Sequence, residues 1–206
     1  MLLHLMLSIQ LLLTMAVMPD KIFKRDMKDN IPMTEISMEP VGDNLTTMIQ
    51  RYAAYNHWAN QQFADWLGSA SEEDMNREIE SSFSSLRETV IHIWNAEYLW
   101  LQTVKNESAD NSPARNFNGS KDGLLRGWLE ASENFSDHLM TMTLEELQAQ
   151  RPRSRGEGYT VIVDMIHHCM NHSTYHRGQL ITMGRQAGLT DPPRTDFIYY
   201  VSLPKD

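Results

Sequence analysis

Apolar and aromatic positions recur every three or four residues along four long stretches of the chain, separated by segments rich in Gly, Pro, Asn and Ser. The first stretch, residues 44–67, places Leu45, Met48, Ile49, Tyr52, Tyr55, Ala59, Phe63 and Trp66 at helical intervals. Gly68-Ser69-Ala70-Ser71 interrupts it, and Ser71 ahead of Glu72-Glu73-Asp74 has the form of an N-cap for one short helical turn. A second helix, capped by Ser84 or Ser85, extends to residue 105 with Leu86, Val90, Ile93, Trp94, Leu101 and Val104 on its apolar side. Residues 106–119, with Pro113 and several Asn and Ser, read as a loop. A third helix spans residues 121–140 through Leu124, Leu125, Trp128, Leu129, Phe135 and Leu139, and residues 144–148 add one short turn. Residues 151–158 break the pattern. Tyr159-Thr160 then leads into a fourth helix that runs to residue 187 and ends at Gly188, as helices commonly end at glycine. Amphipathic helices must bury their apolar sides against one another, so the pattern predicts an all-α four-helix bundle.

Composition narrows the class. A chain of 206 residues, 41% of them hydrophobic, suits one domain with a buried core. Its net charge of -9 opposes nucleic-acid backbones, so no nucleic-acid partner is expected. The densest positive group, Arg151, Arg153 and Arg155, falls in a Pro/Gly-containing loop and is expected to solvate it or to meet a local acidic patch. The single cysteine, Cys169, precludes an intramolecular disulfide and fits a reducing compartment. Residues 1–18 are Leu-rich, yet no Lys or Arg precedes Lys21, and His4, Ser8 and Gln10 interrupt the apolar run. Neither a membrane span nor a strong secretory signal follows. The expectation is an N-terminal extension over residues 1–43, arising from a start codon assigned too far upstream, and a bundle domain over residues 44–206. A cytoplasmic protein follows, with export as the alternative if the first segment is a genuine signal.

The histidines carry the candidate chemistry. His172 and His176 stand four residues apart on the fourth helix, offset by only about 40° and one turn, so both rings can reach one cation. A third ligand must come from elsewhere. His92 interrupts an otherwise apolar stretch of the second helix, where an unpaired polar ring would be costly to bury. Three histidines on two helices would leave a metal with open positions, as catalytic sites have, and neutral imidazole suits Zn, Ni, Cu and Fe alike. His168, one turn back on the same stripe, could orient a ligand, touch substrate or simply pack; about 12 Å along the axis from His176, it is a poor direct ligand. His57 is expected on a polar face and His167 to point elsewhere. Cys169 could be a fourth ligand, but a small buried apolar residue is the expectation. Glu97, Asp164 and Glu88 are candidates to hold the far nitrogens of the rings. Trp58, Trp94, Trp100 and Tyr175 either wall a pocket or fill the core. Gly178, in mid-helix, costs about 1 kcal/mol relative to alanine, for which close helix packing is the expected reason. Arg177 beside it is expected to pair with a carboxylate on a neighbouring helix.

The run His172-Ser173-Thr174-Tyr175-His176-Arg177-Gly178-Gln179 resembles the HxxxHRGQ signature of the DinB-like metalloprotein superfamily. Tyr55-Asn56-His57-Trp58-Ala59-Asn60 resembles the Y-x-x-W-A-N pattern of its first helix, His92-Ile93 its second-helix histidine, and residues 195–200 its C-terminal ending. The resemblance covers residues 45–201. It implies a four-helix bundle with a long crossover connection and a divalent metal ion, zinc or nickel, held by His92, His172 and His176. It implies, further, a metal-dependent hydrolase or a thiol-dependent S-transferase or isomerase acting on a small molecule. A low-molecular-weight thiol such as bacillithiol, mycothiol or glutathione would be the co-substrate. A non-catalytic metal-binding stress or sensor protein is the alternative. DinB-like bundles commonly pair, so a homodimer is expected, with Trp66, Trp128 and Phe135 as candidate interface residues.

Overall fold

The computed structural model describes residues 45–153 and 157–204. The expected extension over residues 1–43, and Arg155, lie outside them. In chain order the elements are α1 (Leu45–Gly68), α2 (Glu72–Asn76), α3 (Leu86–Lys105), α4 (Lys121–Thr141), α5 (Leu144–Gln148), β1 (Gln150–Pro152), β2 (Tyr159–Val161), α6 (Ile162–Gln186) and α7 (Phe197–Val201).

Helix starts follow local chemistry. Ser85, not Ser84, caps α3, its hydroxyl accepting from the Glu88 amide at 3.1 Å, and Ser120 does the same for α4. Ser71 with Asp74 and Thr143 with Glu146 form reciprocal capping boxes that stop the two short helices from fraying. The fourth long helix starts at Ile162, later than its periodicity suggests, because Tyr159–Val161 pairs antiparallel with Gln150–Pro152, Arg151 facing Thr160. Three-residue strands are too short to leave an alternating pattern in the sequence. The ribbon also decides the fate of the nearby arginines. Arg151 donates from Nη2 to the Val104 carbonyl at 3.1 Å, at the C-terminal end of α3, and Arg153 donates to the Thr160 hydroxyl at 3.3 Å. They satisfy oxygens of neighbouring elements rather than an acidic patch, and exposed Arg153 fits the other expectation, that the group solvates its loop.

Side-chain pairings fix the directions of the helices. Gln50 meets Met140 and Asn60 meets Ser132, so α1 and α4 are antiparallel. Tyr52 meets Asn171, and the Trp66 ring lies on Gly184, so α1 and α6 are parallel. Thr89 meets Met183 and Glu97 meets Ser173, so α3 opposes α6. Helices α3 and α4 therefore run the same way, and the chain must travel back along α3 before α4 can begin. The 20 residues of α3 cover about 30 Å. Residues 106–120 can bridge that distance, since a stretch of that length extends to about 50 Å. Phe117 anchors the return by packing on Trp94, ring centroids 5.3 Å apart, and Ala114 is fully buried beneath it. This is the long crossover.

Two apolar clusters fill the bundle, one around Phe63, Leu86, Val90 and Trp128, the other around Ile49, Phe135, Leu139 and Ile166. Trp66, Trp128 and Phe135 are buried within their own chain at 9%, 0% and 1% exposure. They are core residues and not the interface residues that the sequence suggested. Glycines admit two of the large rings: a Cβ on Gly127 would overlap Trp94, and one on Gly184 would overlap Trp66. Among the described residues no helix is long and apolar enough to cross a membrane.

Candidate metal centre

Helices α3 and α6 pack antiparallel, and at their contact three imidazoles converge. His172 Nε2 lies 2.9 Å from His92 Nε2 and 3.2 Å from His176 Nε2. The rings stand 4.4–4.7 Å apart between centroids, each tilted or edge-on to the next, so the nitrogens meet without stacking. The i,i+4 spacing on α6 supplies two of them and the antiparallel register supplies the third, across 80 residues of sequence.

Hydrogen bonding cannot satisfy this arrangement. Gln179 donates its amide nitrogen to Ser82 Oγ at 2.7 Å, which turns its oxygen toward His176 Nδ1, also at 2.7 Å. His176 therefore carries its proton on Nδ1, and its Nε2 presents a lone pair to the other rings. His172 Nε2 sits between two nitrogens and, with one proton or one lone pair, can pair with only one of them. A cation accepts all three lone pairs at once. Nitrogens bound to one tetrahedral zinc at 2.0–2.1 Å lie roughly 3.3 Å apart, close to the separations seen here. His92, His172 and His176 form a cluster that could hold a metal ion, all three ligand atoms falling within 4.8 Å of one another.

Electrostatics point the same way. Burial first, then the neighbouring His176, holds His92 down to about 4 from the usual 6.5. Burial, then His176, His92 and His168, likewise brings His172 down to about 4. Burial lowers His176 too, against the opposing pull of Gln179. Rings that resist protonation keep their lone pairs free for a metal over a wider pH range. Phe83, from the segment before α3, covers the cluster on one side, 4.2 Å from His92 and 5.5 Å from His176 between ring centroids.

The other candidates sort themselves by distance. His168 is exposed, held edge-on by Trp100 at 5.1 Å, with its centroid 5.9 Å from His172; it flanks the cluster without joining it. His167 faces Tyr52, and His57 is not among the clustered rings. Cys169 is fully buried in the core, where loss of solvent raises its thiol well above the ordinary value, so it behaves as the small apolar residue expected. Of the four aromatics, Tyr175 lies against His176 and Trp100 against His168, whereas Trp94 fills the core and Trp58 packs on Tyr55, Tyr199 and Tyr200.

The proposed carboxylate partners are displaced by Gln179. Asp164 and Glu88 are exposed, and Glu97 serves a different cluster. Glu97 is fully buried and accepts at Oε1 from Asn56 at 2.8 Å, Asn60 at 2.9 Å and Ser173 at 2.9 Å. The oxygens of the same two asparagines accept from Arg177 Nη1 at 2.6 and 2.7 Å, and Arg177 Nη2 donates to Thr174 at 2.9 Å. Arg177 thus meets its carboxylate through two amides, not directly. This relay locks α6 to α1 and α3 beside the histidines and fixes the rotation of α6 that aims His172 and His176. Gln179 and Phe83 escaped the sequence reading. Gln179 stands three residues after His176 on one helix face, a spacing that marks it as a candidate; Phe83, in an irregular segment, left no such sign.

The comparisons with known proteins agree with this architecture. Protein DinB of Bacillus subtilis (strain 168) is 29% identical over 164 residues, an alignment covering 73% of this chain and 92% of that protein. The crystal structure of a DinB-like protein from Bacillus subtilis superposes with a TM-score of 0.56 at 20% identity, covering 72% of this chain and 97% of the other, and shows the shared fold. The model of the DinB family matches residues 43–203, a span that contains every helix of the bundle and all three clustered histidines, and the chain belongs to that family.

Proposed function

We propose that this protein is a metal-dependent enzyme in which His92, His172 and His176 hold one divalent ion, zinc or nickel, and in which a small molecule reacts by hydrolysis or by transfer to a low-molecular-weight thiol. The observation that carries this reading is the convergence of three Nε2 atoms whose lone pairs no hydrogen-bond scheme can satisfy. Three protein ligands leave further coordination positions, the pattern of catalytic rather than structural sites. When bound, such an ion supplies Lewis acidity to water or to a thiol sulfur. The chain supplies the rest. Gln179, braced by Ser82, orients His176; Phe83 excludes water from one side; exposed Tyr175 and the Trp100–His168 pair offer surfaces against which a substrate could rest.

A non-catalytic metal-binding stress or sensor protein is the second reading. It is favoured by one observation: Phe83 packs over the cluster, against both His92 and His176, and restricts access from that side. Elemental analysis of protein purified without an affinity tag, followed by assays with bacillithiol, mycothiol and glutathione and with model esters, separates the two. Bound divalent metal with turnover supports the enzyme, bound metal with no turnover supports the second reading, and protein that takes up no divalent metal overturns both. The proposal includes a homodimer, for which exposed Met48, Met140 and Leu144 supply apolar surface in place of the buried aromatics. Light scattering at several concentrations tests it, and a constant mass of 23.8 kDa would reject it.

A further inference from the structure

Gly178 is the unexplained residue of α6. Its φ is not among the positive ones, and a Cβ added to it would meet nothing within 4 Å, so neither backbone conformation nor close packing calls for glycine. The expected packing reason is therefore wrong for this residue, although it holds for Gly127 and Gly184. A mid-helix glycine costs about 1 kcal/mol relative to alanine. What it leaves here is room: Gly178 lines a cavity of about 480 Å³ between α1, α6 and the C-terminal segment. Small-molecule sites commonly have volumes of roughly 300–1,000 Å³.

This cavity is not the histidine site seen from another angle. Thr174, Arg177, Gly178 and Ile181 face it from α6, and their side is centred about 170° round the helix from His172 and His176. Its opposite wall is aromatic. Tyr52 and Tyr55 lie parallel at 6.0 Å, and the Phe197 ring stands edge-on to both, at 6.1 and 5.1 Å. Tyr55 also donates to the Thr195 carbonyl at 2.7 Å, which pins the C-terminal segment in place as the third side.

The charges around this wall are unbalanced. Arg51 lies over Phe197 at 5.7 Å, Arg177 over Tyr55 at 5.8 Å, and exposed Arg194 is on the rim. Asp196 is the carboxylate lining the cavity, and its oxygen is 3.6 Å from Arg194 Nε, a long and solvent-screened pair. Glu97 answers Arg177 only across the two asparagine amides. In a chain of net charge -9, such a local excess of guanidinium selects for anions.

We propose that this cavity is a second ligand site, separate from the imidazole cluster, for a small carboxylate with a flat apolar body. The body rests against Tyr52, Tyr55 and Phe197 over the bare backbone of Gly178, and the acid group meets Arg194. Phenylpropionate is the probe and phenylpropanol its neutral control, each titrated to roughly 10 mM into the full, metal-loaded chain with amide chemical shifts as readout. The acid gives saturable shifts at Gly178 and Thr195. The alcohol binds about two- to fivefold more weakly, and Arg194→Ala weakens the acid by a similar factor, as loss of one exposed charge pair should. Asp196→Asn tightens the acid severalfold by removing the competing carboxylate. Gly178→Leu fills the cavity and abolishes the shifts while metal content is unchanged. Absence of saturable shifts, equal affinity for acid and alcohol, or indifference to Arg194→Ala overturns the proposal. Should Gly178→Leu fail to fold, the acid and alcohol comparison and the exposed Arg194→Ala variant decide the matter alone. Metal content bears only on the histidine site, so the two readings fail separately.

Discussion

Helix α6 carries polar side chains on two sides and satisfies them by opposite means. On one side, Ser173 and Arg177 enter a buried network in which Asn56 and Asn60 join a guanidinium to the Glu97 carboxylate with bonds of 2.6–2.9 Å. On the other, half-buried His172 and buried His176 face His92 through ring nitrogens that cannot all be paired with one another, and His172 Nδ1 is buried without a partner among the described residues. Buried polar groups in stable folds are almost always paired. Apart from Glu97 Oε2, which has no partner among the described residues, the first set is paired and is the architecture; the under-paired histidines are the set suited to a ligand. Substitutions on the two sides should differ in kind: one side should cost stability, the other metal.

The largest effect is expected at Arg177. Arg177→Met removes the cation and leaves the Glu97 carboxylate uncompensated in the core, a loss of about 3–5 kcal/mol. At roughly 2–4 °C per kcal/mol for a chain of this size, Tm should fall by about 6–20 °C in thermal denaturation. An unchanged Tm would erase the contrast between the two sides. Next come the histidines. His172→Ala should keep its helical circular dichroism, yet lower metal affinity more than about a hundredfold, beyond the 10–100-fold typical of losing a group that merely orients a ligand. His92→Ala should match it from a different helix, and full metal retention there would place the third ligand elsewhere.

Gln179→Ala sharpens the comparison further, because it removes the orienting group and spares every ring. Isothermal titration should show metal affinity reduced about 10–100-fold, with little change in Tm. Unaltered affinity would mean that His176 needs no bracing. The smallest effect concerns pH. His92 and His172 are held at about 4 in the fold against an ordinary 6.5, so between those values the unfolded chain binds more protons than the folded one. Stability of the metal-free protein is thus fully present above pH 6.5 and is lost as pH falls toward 4. Melting curves after chelation should show this slope, and His92→Ala should flatten it; an equal slope in the variant would assign the titration to other groups.

How much of this was legible depended on range. The helices were, since their periodicity and caps are local, and so were His172 and His176, which are neighbours on one helix. His92 was legible as a polar ring in an apolar run. The relay was not: Asn56, Asn60, Glu97 and Arg177 are all visible in the sequence, but that they touch follows only from α1, α3 and α6 meeting at one level of the bundle. The role of Gln179 was only half legible, because its spacing from His176 is local whereas the Ser82 hydroxyl that turns its amide lies 97 residues away in an irregular segment. Gly178 then proved to have no packing to explain it. Phe83, the β1–β2 ribbon and the role of α7 rest on irregular or very short segments whose conformation is decided by the bundle they lean on.

The separation of 80 residues between His92 and His172 also sets a clock. A ribosome adding about 5–20 residues per second needs roughly 4–16 s to pass from one to the other. Throughout that interval α3 has emerged without α6, and neither the imidazole cluster nor the bond from Ser173 to Glu97 can form. The nascent chain cannot capture an ion at this centre while it is being made. Any ion the cluster holds would have to be loaded after residue 176 has been made, from whatever pool the nearly finished protein meets.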